Sequence, residues 1–242
     1  MRIDVTELIR FYGTPLGSCA ARAILERVTG LWGSLSGLDV LGIGYATPYL
    51  DGLTGNPRRK VSFMSGSQGG HAWCPTSRGN SNALGSDQAL PFQDAMFDRI
   101  LVVHGLEETP DYAQFLREIW RVSAPEARIL FVVPNRSGAW SLSDATPFGH
   151  GRPFSRRQTK RMMRDALIEP TAWTRALYMP PFDMKVFTSA SEGWERVGEI
   201  FLPGLGGVNL VEGVKRVRID PTLPERARVV APGKLKPAFS LK

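Results

Sequence analysis

The chain has 242 residues, 43% of them hydrophobic and 22% charged, and carries a formal net charge of +7. That length suffices for a sizeable core in one large domain or two small ones, and no run approaches the roughly 18 apolar residues of a membrane-spanning helix. The two cysteines, Cys19 and Cys74, are too few for a disulfide scaffold and lack metal-ligand spacing. The opening MRIDVTELIRFYGTPLG has charges throughout and no apolar centre, so no signal peptide is expected and the expected location is the cytoplasm.

In chain order, the segment through Gly30 is rich in helix formers, Cys19-Ala-Ala-Arg-Ala-Ile-Leu-Glu-Arg-Val among them, with Gly30 as a stop. Asp39 to Ile43 reads as a short buried strand. It runs at once into a turn of small residues, Gly42-Ile-Gly44-Tyr-Ala46, and then into a helix over residues 47–54 with Thr47 as cap and Pro48 as first helical residue. A strand followed by such a turn is the way nucleotide-like cofactors are held. Val61 to Met64 is a second short strand. Residues 65–86 read as loop, with Gly, Ser, Asn and Gln around His71, Trp73 and Cys74. Those three side chains do not form a metal set, since no partner pair follows at ligand spacing, so they are read as loop anchors. No metal is expected.

Phe97 to Val103 is a β-branched apolar run, typical of a strand buried on both faces. Thr109-Pro110 caps the next helix, whose Tyr112, Phe115, Leu116, Ile119 and Trp120 recur at three and four as a core-facing stripe. The acids Glu107-Glu108 read as a helix-entry pair facing the helix dipole. Arg128 to Val133 is another buried strand, ended by Pro134. Strand, helix, strand, helix, strand at this spacing predicts a mainly parallel sheet. Beyond it lie a long Gly, Ser and Pro loop and a helix from the cap Ser155 to about Leu167. An extended segment follows over residues 170–188, then a helix from Gly193 to Leu202 with Trp194, Val197, Ile200 and Phe201 on one side. A last strand is read from Val208 to Ile219. Residues 221–242, with four prolines and basic side chains, read as a tail.

Positive charge is concentrated in Arg152, Arg156, Arg157, Lys160, Arg161 and Arg164, a stretch without an acid. It reads as a solvated helix face, or as a contact for an anionic partner or membrane surface. Nucleic acid is not expected, because no recognition module or interleaved aromatics accompany it. A Ser-His-Asp hydrolase lacks its nucleophile elbow. For a nicotinamide enzyme the glycine spacing is wrong and no ribose-binding acid follows.

Five segments in order carry a resemblance: Val40 to Leu50, Ala89 to Asp98, His104 to Asp111, Phe115 to Val122 and Arg128 to Arg136. Together they resemble the class I S-adenosylmethionine-dependent methyltransferases, specifically the type 11 methyltransferase domain. The resemblance implies a Rossmann-like α/β fold: a seven-stranded, mostly parallel sheet with flanking helices and an antiparallel last strand. One domain over 1–220 is implied, with a helical segment 1–37, core motifs 38–135, and a substrate-side loop and second half of the sheet over 136–220. S-adenosylmethionine is the implied cofactor. It would lie on Gly42, Gly44, Tyr45, Ala46, Ser65, Ser86, Asp87 and Gln88. A small-molecule or lipid-like acceptor would approach Asn135, Trp140 and Arg152, with His104 and His150 as candidate catalytic groups.

The chain departs from the family pattern at several of these places. The first motif usually has an acid where Gly42 stands and glycines where Ala46 and Pro48 stand. The acid that binds the ribose diol at the end of the second strand is replaced by Met64-Ser65, which leaves Ser65, Ser67 or Gln68 for that contact. The acid near the adenine aligns with Ser86, one residue before Asp87. Two functions follow: methyl transfer, or a catalytically inactive descendant of the fold that serves as a binding or regulatory partner. Gly44→Arg is expected to abolish cofactor binding with the fold largely intact.

Overall fold

The computed structural model describes residues 3–75, 80–182 and 191–216. Seven strands form one sheet: β1 (Asp39–Gly44), β2 (Arg59–Ser65), β3 (Asn82–Gly85), β4 (Phe97–Val103), β5 (Ser123–Pro134), β6 (Ile168–Ala176) and β7 (Val208–Lys215), in the order β3-β2-β1-β4-β5-β7-β6. The first five run parallel, and β7 is antiparallel to both β5 and β6. Among the described residues six α-helices accompany them: α1 (Val5–Tyr12), α2 (Pro15–Trp32), α3 (Thr47–Gly52), α4 (Tyr112–Val122), α5 (Arg156–Asp165) and α6 (Ser191–Phe201).

The apolar runs explain the layering. In β4, Leu101 and Val103 enter one core with Val40, Leu130 and Val132, against α2 and α3. The alternate residues Ile100 and Val102 enter a second core with Ile129, Phe131 and the α4 stripe Phe115, Leu116 and Ile119. Period-two alternation in strands buried on both faces thus produces a sheet covered on both sides. The strand order reverses between β1 and β4, which places the switch-point crevice over their carboxyl ends.

Several local expectations are corrected. The N-terminal region is two helices parted at Gly13, and α2 passes Gly30 to end before Gly33, whose φ of +62° suits glycine. Thr47 is already helical, and Ala46 precedes it without a side-chain cap. Asp111, not Thr109, caps α4, accepting from the Gln114 amide at 3.0 Å, and Tyr112 is exposed. The region read as loop contains β3, an edge strand paired only to β2. The last strand ends at Lys215. In α6 the apolar stripe does lie on one side, but that side faces solvent. Glu195 points inward instead, accepting backbone N–H bonds from Leu177 at 3.1 Å and Tyr178 at 2.7 Å. The 221–242 tail and the end of the 170–188 segment lie outside the described residues.

Candidate functional site

The crevice is built from the β1–α3 turn, the β2–β3 loop and the end of β4. Gly44 closes β1 at φ +77°, and the Tyr45 amide donates to the Val103 carbonyl at 2.9 Å, tying the turn to β4. A Cβ at Gly44 would collide with the Val103 carbonyl oxygen, and one at Gly42 would meet Ala46 and Leu50 at 2.7 Å. These two glycines therefore serve the approach of β1 to β4 and of α3 to β1. At the end of β4, His104 adopts φ +51°, a left-handed conformation that costs a non-glycine residue about 1 kcal/mol or more.

His104 is almost fully buried and is the centre of a polar cluster. Its Nε2 lies 2.8 Å from the Tyr12 hydroxyl, which also pairs with the Tyr49 hydroxyl at 2.7 Å. Burial pushes the phenols of Tyr12 and Tyr49 well above the usual tyrosine range, so both stay neutral. On the other side, His104 Nδ1 stands 3.6 Å from the carboxylate of Glu107. Glu107 is buried too, and neither of its carboxylate oxygens accepts a hydrogen bond among the described residues. Phe148 packs on the imidazole at 4.7 Å between ring centres. The Glu107 carbonyl accepts from the Arg152 amide at 3.0 Å, which joins this corner to the loop after β5.

Two features cross the crevice. Gln68, from the β2–β3 loop and 1% exposed, donates its Nε2 to the His104 carbonyl at 3.1 Å. Because β1 lies between β2 and β4, this bond passes over the carboxyl end of β1. Above it lies α1: Ile3, Val5 and Leu8 form one apolar cluster with Tyr45 and Met64, and Tyr12 stacks on Tyr45 at 5.3 Å. The Val5 amide donates to the Gln68 carbonyl at 2.9 Å, and the Ile3 amide to Glu108 Oε2 at 3.0 Å.

The residues singled out in the sequence are dispersed by this arrangement. Tyr45, Ala46, Ser65 and His104 are buried at the crevice, with Ser65 bonded to Ser67 at 3.0 Å. Ser86 and Gln88 are exposed at its outer end, where Ser86 Oγ accepts from the Gln88 amide at 3.2 Å, and Asp87 between them is buried. Asn135 donates to the carbonyls of Gly204 and Gly206, at 3.1 and 2.7 Å, and buried Trp140 donates to Met179 at 2.7 Å. His150 is near the Asp144 carbonyl at 3.3 Å and lines a cavity of about 460 Å³ on the outer side of α1, with Arg10, Phe11 and Thr146. Arg152 lines another of about 500 Å³ with Arg136 and Phe154. Tyr12, Tyr49 and Glu107 were not singled out as site residues. Tyr12 lies outside the five resemblance segments, Tyr49 lies in the first of them without a role assigned there, and Glu107 reads in sequence as half of a helix-entry acid pair.

S-adenosylmethionine is the cofactor that the family implies, and it would lie over β1. The conformation described here does not fit it. The Gln68 bond and the packed α1 side chains occupy that place, and Gly44 gives its free side to the Val103 carbonyl rather than to a ligand.

The methyltransferase domain family matches residues 38–131. A demethylmenaquinone methyltransferase of Roseiflexus castenholzii is 33% identical over 136 residues, 54% of this chain and 55% of the relative. That of Lactococcus lactis is 42% identical over 48 residues, 20% and 19% of the two chains. The chain thus spans from about a fifth to about half the length of these curated relatives. Among solved structures, an S-adenosylmethionine-dependent methyltransferase of Thermotoga maritima superposes with a TM-score of 0.64 at 18% identity, covering 88% of this chain and 96% of that one. The motif series, the strand order and these likenesses agree: residues 38–131 match the methyltransferase domain family, and the chain has the Rossmann-like methyltransferase fold.

Proposed function

We propose that the protein is a methyltransferase that draws on S-adenosylmethionine and acts on a small, lipid-like acceptor of the quinone type. The observation that carries this reading is the methyltransferase domain at 38–131, whose motifs fall on β1, β4 and β5 at the switch point of the sheet. The acceptor class is supported by the names of the curated relatives, all aligned through part of their length.

Methyl transfer asks a protein to orient two reactants and keep water out, and to supply a base only where the acceptor atom carries a proton. The chain offers a dry, aromatic corner around His104, with Tyr12 and Tyr49 as neutral hydroxyls and Glu107 behind the ring. The cavity beside His150 has an apolar wall of Phe11, Leu16 and Pro147 and a polar rim with Arg10, which suits a ring bearing oxygen substituents. Arg152 stands at the neighbouring opening. The basic outer face of α5 is assigned to anionic lipid headgroups, the surface from which a lipid-like acceptor would be drawn.

The test is incubation of the full chain with methyl-labelled S-adenosylmethionine and a set of demethylated quinols in detergent micelles. Label appearing in a quinol only with active protein is the expected result. Saturable cofactor binding with label in none of them would favour a non-catalytic descendant, the reading supported by Met64-Ser65 where the family carries an acid.

A further inference from the structure

We infer that residues 3–12 are a self-made plug: they occupy the cofactor crevice in the resting protein and must leave it before cofactor can bind. The inference rests on the methyltransferase reading and adds a competition between the chain's own N-terminal segment and the cofactor.

Three independent observations place the segment in the crevice rather than beside it. Leu8 is fully buried in a cluster with Ile3, Val5, Tyr45 and Met64, so the apolar face of α1 is seated on the β1 turn and the end of β2. Tyr12 fills the inner end, stacked on Tyr45 and bonded to both Tyr49 and His104. The Gln68 side chain spans β1 beneath them, and its backbone carbonyl holds the Val5 amide, so the bridge and the helix are secured to each other.

The plug is also built to come away. It is a single helix of 8 residues ending in Gly13, and its opposite face borders the open cavity that holds His150. Its loss would free the His104 Nε2 and the Tyr49 hydroxyl that Tyr12 now holds. Both are hydrogen-bonding groups that a polar ligand in the crevice can satisfy in its place. A site whose competent state is a minor one, between about 0.1 and 10% of molecules, binds about ten- to a thousandfold more weakly than its open form.

The experiment compares S-adenosylhomocysteine affinity by calorimetry in the wild type, Leu8→Asp and Val5→Ala, and follows hydrogen exchange of residues 5–12 in the wild type. Leu8→Asp releases α1; Val5→Ala only loosens its apolar seat and covers the case in which the first variant does not fold. The expected result is affinity at least about tenfold higher in Leu8→Asp and raised in Val5→Ala, with faster exchange at 5–12 when ligand is added to the wild type. Equal affinities in the folded variants, or unchanged or slower exchange at 5–12 in the ligand-bound wild type, would overturn the plug and leave the methyltransferase reading standing. Failure of all folded forms to bind would overturn both.

Discussion

At Gly44 one hydrogen atom decides whether β1 can sit against β4. The φ of +77° penalises any L side chain, and the first atom of that side chain would meet the Val103 carbonyl. Gly44→Ala is therefore expected to cost more than about 1 kcal/mol from the backbone alone, and up to about 3 kcal/mol more from overpacking. A fall in the urea midpoint with an unchanged slope would show this; an unchanged midpoint would contradict it. It follows that Gly44→Arg would damage the fold as well as the crevice, against the expectation from sequence. His104 could be placed at the crevice from sequence because it ends an apolar strand. Glu107 was not, because two adjacent acids before a helix resemble a dipole pair. The helix in fact starts at Tyr112 under the cap Asp111, which leaves Glu107 in a turn folded under His104.

Among the elements, β1, β4 and β5 were legible because unbroken apolar runs of that length have few other uses than a doubly covered strand. Strand β3 was hidden: Asn82–Gly85 is short, holds no β-branched or aromatic residue, and lies at the sheet edge, where Leu84 faces solvent. Helix α6 was found with its stripe, but periodicity reports only that apolar residues share a face, not which way that face looks. Helix α5 is the clearest case of sequence and structure agreeing. Ser155 and Gln158 form a reciprocal capping box, Thr159, Met162 and Met163 point inward, and the basic residues line an open outer groove. Arg156 also stacks on Trp173 at 5.1 Å. Charge reversal at Arg157, Lys160 and Arg161 leaves the buried face untouched. It is expected to weaken co-sedimentation with phosphatidylglycerol-containing vesicles by at least about tenfold. The wild-type binding should also fade as salt is raised. Equal sedimentation of wild type and variant would remove α5 from the interaction, and displacement by nucleic acid but not by vesicles would point to a different partner.

For the molecule as a whole, the order β3-β2-β1-β4-β5-β7-β6 puts one crevice at the switch point, and a separate helix, α1, reaches back to lie in it. The sheet was foreseeable from the motif series because the motifs fall in order on β1, the two ends of β4, the crossover helix α4 and β5. The closing helix was not, since Ile3, Val5, Leu8 and Tyr12 look in sequence like any amphipathic turn pair. What they pack against is set by a topology that only the folded chain reveals. Among the described residues no helix is long and apolar enough to cross a membrane. The measurement that bears most directly on the account is calorimetric titration of the full-length wild type with S-adenosylmethionine. Weak, saturable, single-site binding is expected, tightening at least about tenfold in Leu8→Asp. Absence of any heat up to several millimolar ligand, or equal affinity in that folded variant, would contradict this.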